Sequence, residues 1–339
     1  MNINTLTDTT FNVNDLIGEG EARLVESIKA LKDKTSDQTI DALISNLIDF
    51  TNEANDVTPA WSFLGYYRLG LTCANNDKNF RKETVEIVSN ICTLTGKYPS
   101  SQTVVAYGDN NVAEDEVWAF LLKVLQDGGS FPEDLVPPNV KTFESIKRIV
   151  TETLQIIEEI DPDLKLSMNK LQRLIIAGQP GFLASQKKQS FGGATCFFFR
   201  GASIINSSKI ISPGTMLERL IHEYAHAELF TIGQKELLCL NADSELYPVL
   251  IRSDPRPMNG IIHSLYVVCR VAEFQVKLIS NEEYSQAKKD LYQETKQILS
   301  GQLIYAKSSL TAIKNHAKLT PLGLKVVKKC ENCLSAIEE

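Results

Sequence analysis

Histidine, cysteine and long apolar runs are all scarce in this sequence. Histidine occurs only four times among 339 residues, and the seven cysteines are spread along the chain. An odd number of scattered cysteines does not form the framework of a disulfide-rich secreted domain, so reduced thiols are expected. No run of about 18 apolar residues is present, and the first residues lack the basic and apolar regions of a signal peptide. We therefore expect a cytoplasmic protein with no membrane partner.

Basic charge is in short supply as well. The formal net charge is -7 and the isoelectric point is about 5.4, with no dense run of lysine and arginine. A nucleic-acid surface needs such basic density, so no nucleic-acid partner is expected. Hydrophobic residues make up 43% of the chain and charged residues 23%, which is typical of a globular protein with a substantial core.

Helical periodicity dominates the first part of the chain. Apolar residues recur at spacings of three and four in three segments: 15–32, 37–52 and 81–94. Another apolar helix is expected over 118–125, and the glycine- and proline-rich stretch 128–138 then predicts a linker. This divides the chain into a helical N-terminal region, 1–138, and a second region, 139–339.

The second region is predicted to contain both strands and helices. After a helix over 142–160, short β-branched or aromatic segments are typical of strands: 173–177, 195–199 and 203–205. Ser212 as N-cap and Pro213 in the first turn predict a helix that ends near Phe230, and further helices follow from residue 258 onwards. The predicted fold class is α+β and predominantly α-helical: a helical N-terminal half, a small β-sheet before one motif-bearing helix, and C-terminal helices.

That motif is His-Glu-Tyr-Ala-His, at residues 222–226. A spacing of four places His222 and His226 on one face of the helix, where both can bind one metal ion. Glu223 supplies a carboxylate directly after the first histidine. Because histidine is so rare in this chain, the HExxH pattern indicates a metal site.

The residue that completes the metal site decides the reaction class. Glu245 follows at nearly the spacing seen in thermolysin-like zinc peptidases, in which case Glu223 is the general base that deprotonates a zinc-bound water. His263, near the start of the next predicted helix, is the other candidate. We prefer His263, because the sequence around Glu245 lacks the NExxxD pattern of those peptidases.

Two arginines follow the HExxH helix. Arg252 and Arg256 carry planar guanidinium groups, which bind a carboxylate through two parallel hydrogen bonds. Pro255 and Pro257 restrict the backbone on either side of Arg256. These features predict a site for a small dicarboxylate. A structural ion pair, for example with Asp254, is the alternative for either arginine.

The combination of HEYAH at 222–226 with YPVLIRSDPRPMNGIIH at 247–263 resembles the HExxH-type peptide-modification proteins. The similarity extends over roughly 213–274. That family is associated with ribosomally made, modified peptides and has been assigned 2-oxoglutarate- and iron-dependent peptide β-hydroxylation. The resemblance implies a precursor peptide as substrate, and Fe(II), 2-oxoglutarate and dioxygen as cofactor and co-substrates.

Residue roles follow from this resemblance. It implies that Fe(II) is bound by three histidines: His222, His226 and His263. Our own assignment for the 2-oxoglutarate carboxylate is Arg256, with Arg252 second, and Glu223 is expected to orient a ligand or a water. Three neutral imidazoles leave three octahedral positions for bidentate 2-oxoglutarate and dioxygen. Because two histidines and a carboxylate are commoner in such oxygenases, zinc is the alternative metal and a zinc metallopeptidase the alternative function.

Overall fold

The computed structural model describes most of the chain, namely residues 13–53, 59–75, 77–94, 98–99, 101–127, 131–208, 211–234, 236–249, 254–282, 284 and 288–338. The protein is mostly helical, at 68%, with a small mixed sheet. The predicted α+β, predominantly helical class is therefore confirmed. None of the described helices is long and apolar enough to cross a membrane.

Twelve α-helices are present in the described residues. They are α1 Val13–Ala30, α2 Gln38–Glu53, α3 Ala60–Ala74, α4 Lys78–Cys92, α5 Asp115–Asp127, α6 Val140–Ile160, α7 Pro162–Leu171, α8 Phe182–Gln186, α9 Pro213–Ile232, α10 Met258–Ser280, α11 Lys289–His316 and α12 Pro321–Glu338. Every segment predicted as a helix from its periodicity lies largely within one of them.

The strands form two sheets. They are β1 Thr103–Ala106, β2 Leu135–Val136, β3 Gln172–Pro180, β4 Gly193–Ala194, β5 Gly201–Asn206, β6 Leu246–Tyr247 and β7 Arg256–Pro257. In the larger sheet β3 is central and runs parallel to β1 and β5, while β4 pairs antiparallel with β5 and β2 antiparallel with β3. The smaller sheet is the antiparallel pair β6 and β7.

One strand prediction is wrong. The segment 195–199 is not a strand, and a 3-10 helix occupies Phe197–Phe199. Its aromatic rings pack against α3: the Phe199 ring centroid lies 5.0 Å from that of Trp61, and the Phe198 centroid 4.0 Å from that of Tyr67. Two consecutive rings therefore face the same core, whereas consecutive side chains of a strand face opposite sides.

The chain divides into two compact units that are each discontinuous in sequence. Among the described residues, one unit comprises those of 17–150 and 166–211, and the other comprises 13–16 and those of 151–165 and 212–338. The boundary predicted after residue 138 falls inside the first of these. The reason is the sheet, because β1 pairs with β3 and so joins the later strands to the N-terminal helices.

Each unit has its own apolar core. In the first, Trp61, Trp118 and Phe199 are buried together with residues of α2, α4 and α5. In the second, α9 to α12 bury a continuous cluster that includes Tyr266 and the two cysteines of the CxxC segment, Cys330 and Cys333. All seven cysteines are free. Cys330 and Cys333 are therefore core residues, and their burial in this cluster explains the CxxC segment.

Candidate metal centre

The helix α9 begins where the sequence predicts it. The Ser212 hydroxyl accepts a hydrogen bond from the Thr215 backbone N–H at 3.3 Å, and Pro213 occupies the first turn. The carboxylate of Glu294, on α11, accepts hydrogen bonds from the hydroxyls of Thr215, at 2.9 Å, and of Ser212. A negative charge at a helix N-terminus also interacts favourably with the helix dipole. The start of α9 is thus fixed by three side chains.

Burial divides the surface of α9 into distinct faces. Leu217, Leu220 and Tyr224 are fully buried and anchor the helix in its core. His222 and His226 are only half-buried, and their ring centroids lie 4.8 Å apart. The four-residue spacing therefore brings the two imidazoles together on one face, as expected.

His263 joins this pair from the second turn of α10. Its Nε2 lies 2.6 Å from Nδ1 of His226, and the two ring centroids are 4.7 Å apart. The ring of Phe230 lies 4.8 Å from that of His263. Three of the four histidines in the chain are therefore neighbours, contributed by the consecutive helices α9 and α10.

The donor set fits a transition-metal ion in its chemistry. Two nitrogens that each bind one ion at about 2.1 Å, at right angles, are separated by about 3 Å. The observed 2.6 Å between Nδ1 of His226 and Nε2 of His263 is shorter than that value and is a hydrogen-bond distance, so the two nitrogens would move slightly apart around a metal ion. Within the described residues, however, no group of three or more His, Cys, Asp or Glu side chains has its donor atoms gathered around one point. The pair therefore provides two facing donors, and the third ring lies beside them.

The pKa values of His226 and His263 are both lowered, which favours the neutral form of each ring. Burial, together with the charges of His263 and His222, holds the pKa of His226 well below its usual value. Burial and the charge of His222 lower the pKa of His263 to about 4. A histidine must be neutral to bind a metal, so both rings are in the form that coordination requires.

His222 has acidic neighbours that distinguish it from the other two histidines. Its Nδ1 lies 3.5 Å from Oε1 of Glu218, one turn earlier on α9. Burial lowers the pKa of His222, but the hydrogen bond to Glu218 and the charges of Glu223 and Glu218 together raise it above its usual value. Glu223 itself is buried, with 4% of its surface exposed.

Sequence reasoning overlooked Glu218. The signal was present, because Glu218, His222 and His226 repeat at intervals of four and so share a helical face. The HExxH pattern drew attention to the carboxylate at 223 and away from the one at 218.

Of the two arginines, Arg252 lies outside the described residues. Arg256 is in β7, directly before α10, and 39% of its side chain is exposed. Its Nε lies 3.4 Å from Oδ2 of Asp254, so the ion pair considered from the sequence is present. A role for Arg256 in binding a dicarboxylate stays a prediction.

Glu245, the alternative third ligand, is engaged elsewhere. Its Oε2 accepts hydrogen bonds from the Tyr247 hydroxyl at 2.5 Å and from Nδ2 of Asn241 at 3.4 Å, and Lys318 lies 3.9 Å away. These partners, the Tyr247 bond first, lower the pKa of Glu245. Within the described contacts it is His263, and not Glu245, that meets the HExxH histidines.

No protein-family model and no curated protein matches this chain. Its function is therefore inferred from the chemistry of the three histidines and their surroundings.

A buried charged network joins the two helices that carry those histidines. Glu228 of α9 accepts hydrogen bonds from the Tyr224 hydroxyl at 2.9 Å and the Tyr266 hydroxyl at 2.7 Å, and Nε of Arg270 lies 2.8 Å from its Oε2. Arg270 also pairs with Glu273. Burial raises the pKa of Glu228, but the charges of Arg270 and Lys329 and the hydrogen bonds from Tyr266 and Arg270 together outweigh it, so the pKa is lowered. The network holds α9 and α10 at one register and so maintains the contact between the histidines.

Proposed function

We propose that this protein is a cytoplasmic Fe(II)/2-oxoglutarate-dependent oxygenase that hydroxylates the β-carbon of a side chain in a ribosomally made peptide. The observation that carries the proposal is the facing pair of His226 and His263, with Nδ1 and Nε2 2.6 Å apart and the His222 ring beside them. The resemblance of 222–263 to the HExxH-type peptide-modification proteins supplies the reaction class.

The proposal gives each residue of the site a role. His222, His226 and His263 would hold the iron, as neutral imidazoles suit Fe(II). Iron bound there would supply oxygen insertion into a C–H bond: one oxygen atom of dioxygen would enter the peptide, and the other would enter succinate as 2-oxoglutarate loses carbon dioxide. Arg256, and Arg252 second, would bind the carboxylate of 2-oxoglutarate through the guanidinium group. Glu223 would orient a ligand or a water.

A zinc metallopeptidase is the alternative. The observation in its favour is Glu223, a buried carboxylate directly after the first histidine of the motif and close enough to raise the pKa of His222 by its charge. In that enzyme Glu223 would accept a proton from the attacking water. Glu223→Gln would then abolish hydrolysis, and Arg256→Ala would have little effect.

The proposal is tested by anaerobic titration of metal-free protein with Fe(II) and then with 2-oxoglutarate. Chelation of the keto acid to ferrous iron produces a visible charge-transfer band, so no peptide substrate is needed. We expect a saturable band that His263→Ala removes. His316→Ala is the matched control, because this fourth histidine stacks on Tyr247 and lies outside the three-ring cluster.

Arg256→Ala separates the two parts of the site. We expect it to weaken 2-oxoglutarate binding at unchanged iron content, because only the anchoring guanidinium is lost. Absence of the band in the wild-type protein, together with one equivalent of tightly bound zinc, would replace the oxygenase by the peptidase.

A further inference from the structure

Among the described residues, His222 is the ring of the cluster that has a carboxylate beside it, with 3.5 Å between its Nδ1 and Oε1 of Glu218. We propose that Glu218 is a positioning residue: it accepts the Nδ1–H of His222 and so presents Nε2 of that ring as the metal-binding atom. This inference rests on the proposed metal site. It concerns a residue that does not itself touch the metal.

The geometry distinguishes Glu218 from an ordinary surface partner. Its side chain is 22% exposed, and His222 Nδ1 lies 3.5 Å from its Oε1. Gln302, on α11, donates from its Nε2 to the same oxygen at 3.3 Å. One carboxylate oxygen therefore serves two partners, one on its own helix and one on a neighbouring helix.

Two contacts on one oxygen restrict the carboxylate more than a single contact on α9 would. An isolated ion pair at positions i and i+4 leaves both side chains free to rotate in solvent and contributes little to stability. The Gln302 bond fixes Glu218 from outside the helix, so the direction in which it accepts from His222 is fixed as well.

The consequence concerns the tautomer of His222. A neutral imidazole carries one proton, and the nitrogen that keeps it cannot bind a metal. A carboxylate beside Nδ1 retains the proton there, leaving the lone pair on Nε2. Carboxylates that orient metal-bound histidines in this way commonly raise metal affinity by about 10- to 100-fold.

The test uses the full-length protein and zinc, so it does not depend on catalysis. Zinc affinity is measured by competition with a chromophoric chelator for the wild type, Glu218→Ala, Glu218→Gln and Gln302→Ala. We expect Glu218→Ala to weaken binding by about 10- to 100-fold. Glu218→Gln should recover part of this, because the amide oxygen can still accept from Nδ1. Gln302→Ala should fall between the wild type and Glu218→Ala.

The matched control is Glu294→Ala. Glu294 is also a carboxylate between α9 and α11, but it contacts Ser212 and Thr215 at the start of α9, where no metal ligand is proposed. We expect that variant to lower the unfolding temperature while zinc affinity stays at the wild-type value. Circular dichroism verifies that every variant is folded.

A spectroscopic readout separates positioning from mere packing. In the zinc-bound protein, long-range nitrogen–proton correlation spectra should show His222 protonated at Nδ1 in the wild type, and this signature should weaken in Glu218→Ala. Folded Glu218→Ala that binds zinc as tightly as the wild type would overturn the inference. Failure of the wild type to bind zinc, cobalt or iron would overturn the metal site itself. Tight zinc binding without the 2-oxoglutarate band would refute only the oxygenase.

Discussion

Replacement of Arg270 by methionine isolates the energy of the buried network between α9 and α10. The substitution keeps most of the apolar stem of the side chain and removes the guanidinium. Glu228, 1% exposed, and Glu273 would then be left buried beside each other without their shared cation. Loss of one partner from a buried ion pair costs about 3–5 kcal/mol.

The size of that loss makes the prediction easy to measure. Folded domains are stable by only about 5–15 kcal/mol, so Arg270→Met should remove a large fraction of the total. With an unfolding entropy of about 2.1 cal/mol/K per residue, the unfolding temperature of this 339-residue chain should fall by roughly 4–7 °C. Urea denaturation gives the free energy of unfolding, and thermal melting followed by circular dichroism gives the temperature.

Lys314→Met is the matched control, since Lys314 and Glu331 form an exposed pair in the same unit at 2.8 Å. Exposed pairs contribute about 0–1 kcal/mol, so that variant should be close to the wild type. The double variant Arg270→Met with Glu228→Gln should regain stability relative to Arg270→Met, because it removes one isolated charge. A loss no larger than that of Lys314→Met would refute the reasoning.

Three further predictions concern stability. Gly323→Ala should destabilise the protein by roughly 3 kcal/mol in urea denaturation, because a Cβ there would lie 1.8 Å from the backbone oxygen of Leu238. A variant as stable as the wild type would contradict this close contact. Gly301 lies in the interior of α11 with open space where a Cβ would be, so Gly301→Ala should instead stabilise the protein by about 1 kcal/mol. A lower free energy of unfolding in the same assay would contradict the open space at this position. The hydrogen bond from Arg81 lowers the pKa of Asp37 from 3.8 to about 2. A lowered folded-state pKa gives stability that is present above pH 3.8 and is lost as the pH falls towards 2, so the urea midpoint should drop across that interval. Asp37→Asn should remove this part of the drop, and an unchanged pH profile would contradict the pairing.

Local signals determined what could be predicted about the metal site. The N-cap Ser212, Pro213 and the four-residue histidine spacing act within one helix, and each is found as expected. The contact of His263 with His226 joins two helices, and the resemblance in 222–263 pointed to it where periodicity could not.

What the sequence could not reveal depends on tertiary contacts. The aromatic run 195–199 has strand-like composition, but packing against Trp61 overrides it. The restraint on the Glu218 carboxylate comes from Gln302 of α11, a contact that the sequence of α9 alone cannot predict. The boundary between the two compact units depends on the pairing of β1 with β3. The glycine and proline residues after residue 127 carry no information about that pairing.

The pairing of β1 with β3 also has a consequence for synthesis of the chain. The strand β1 ends at residue 106 and its partner β3 at residue 180, so β1 leaves the ribosome well before it can be paired. At typical elongation rates this interval lasts roughly 4 to 15 seconds, during which an unpaired strand edge is open to association with other chains. A fragment that stops after residue 138 would carry this edge permanently, so we expect such truncations to aggregate.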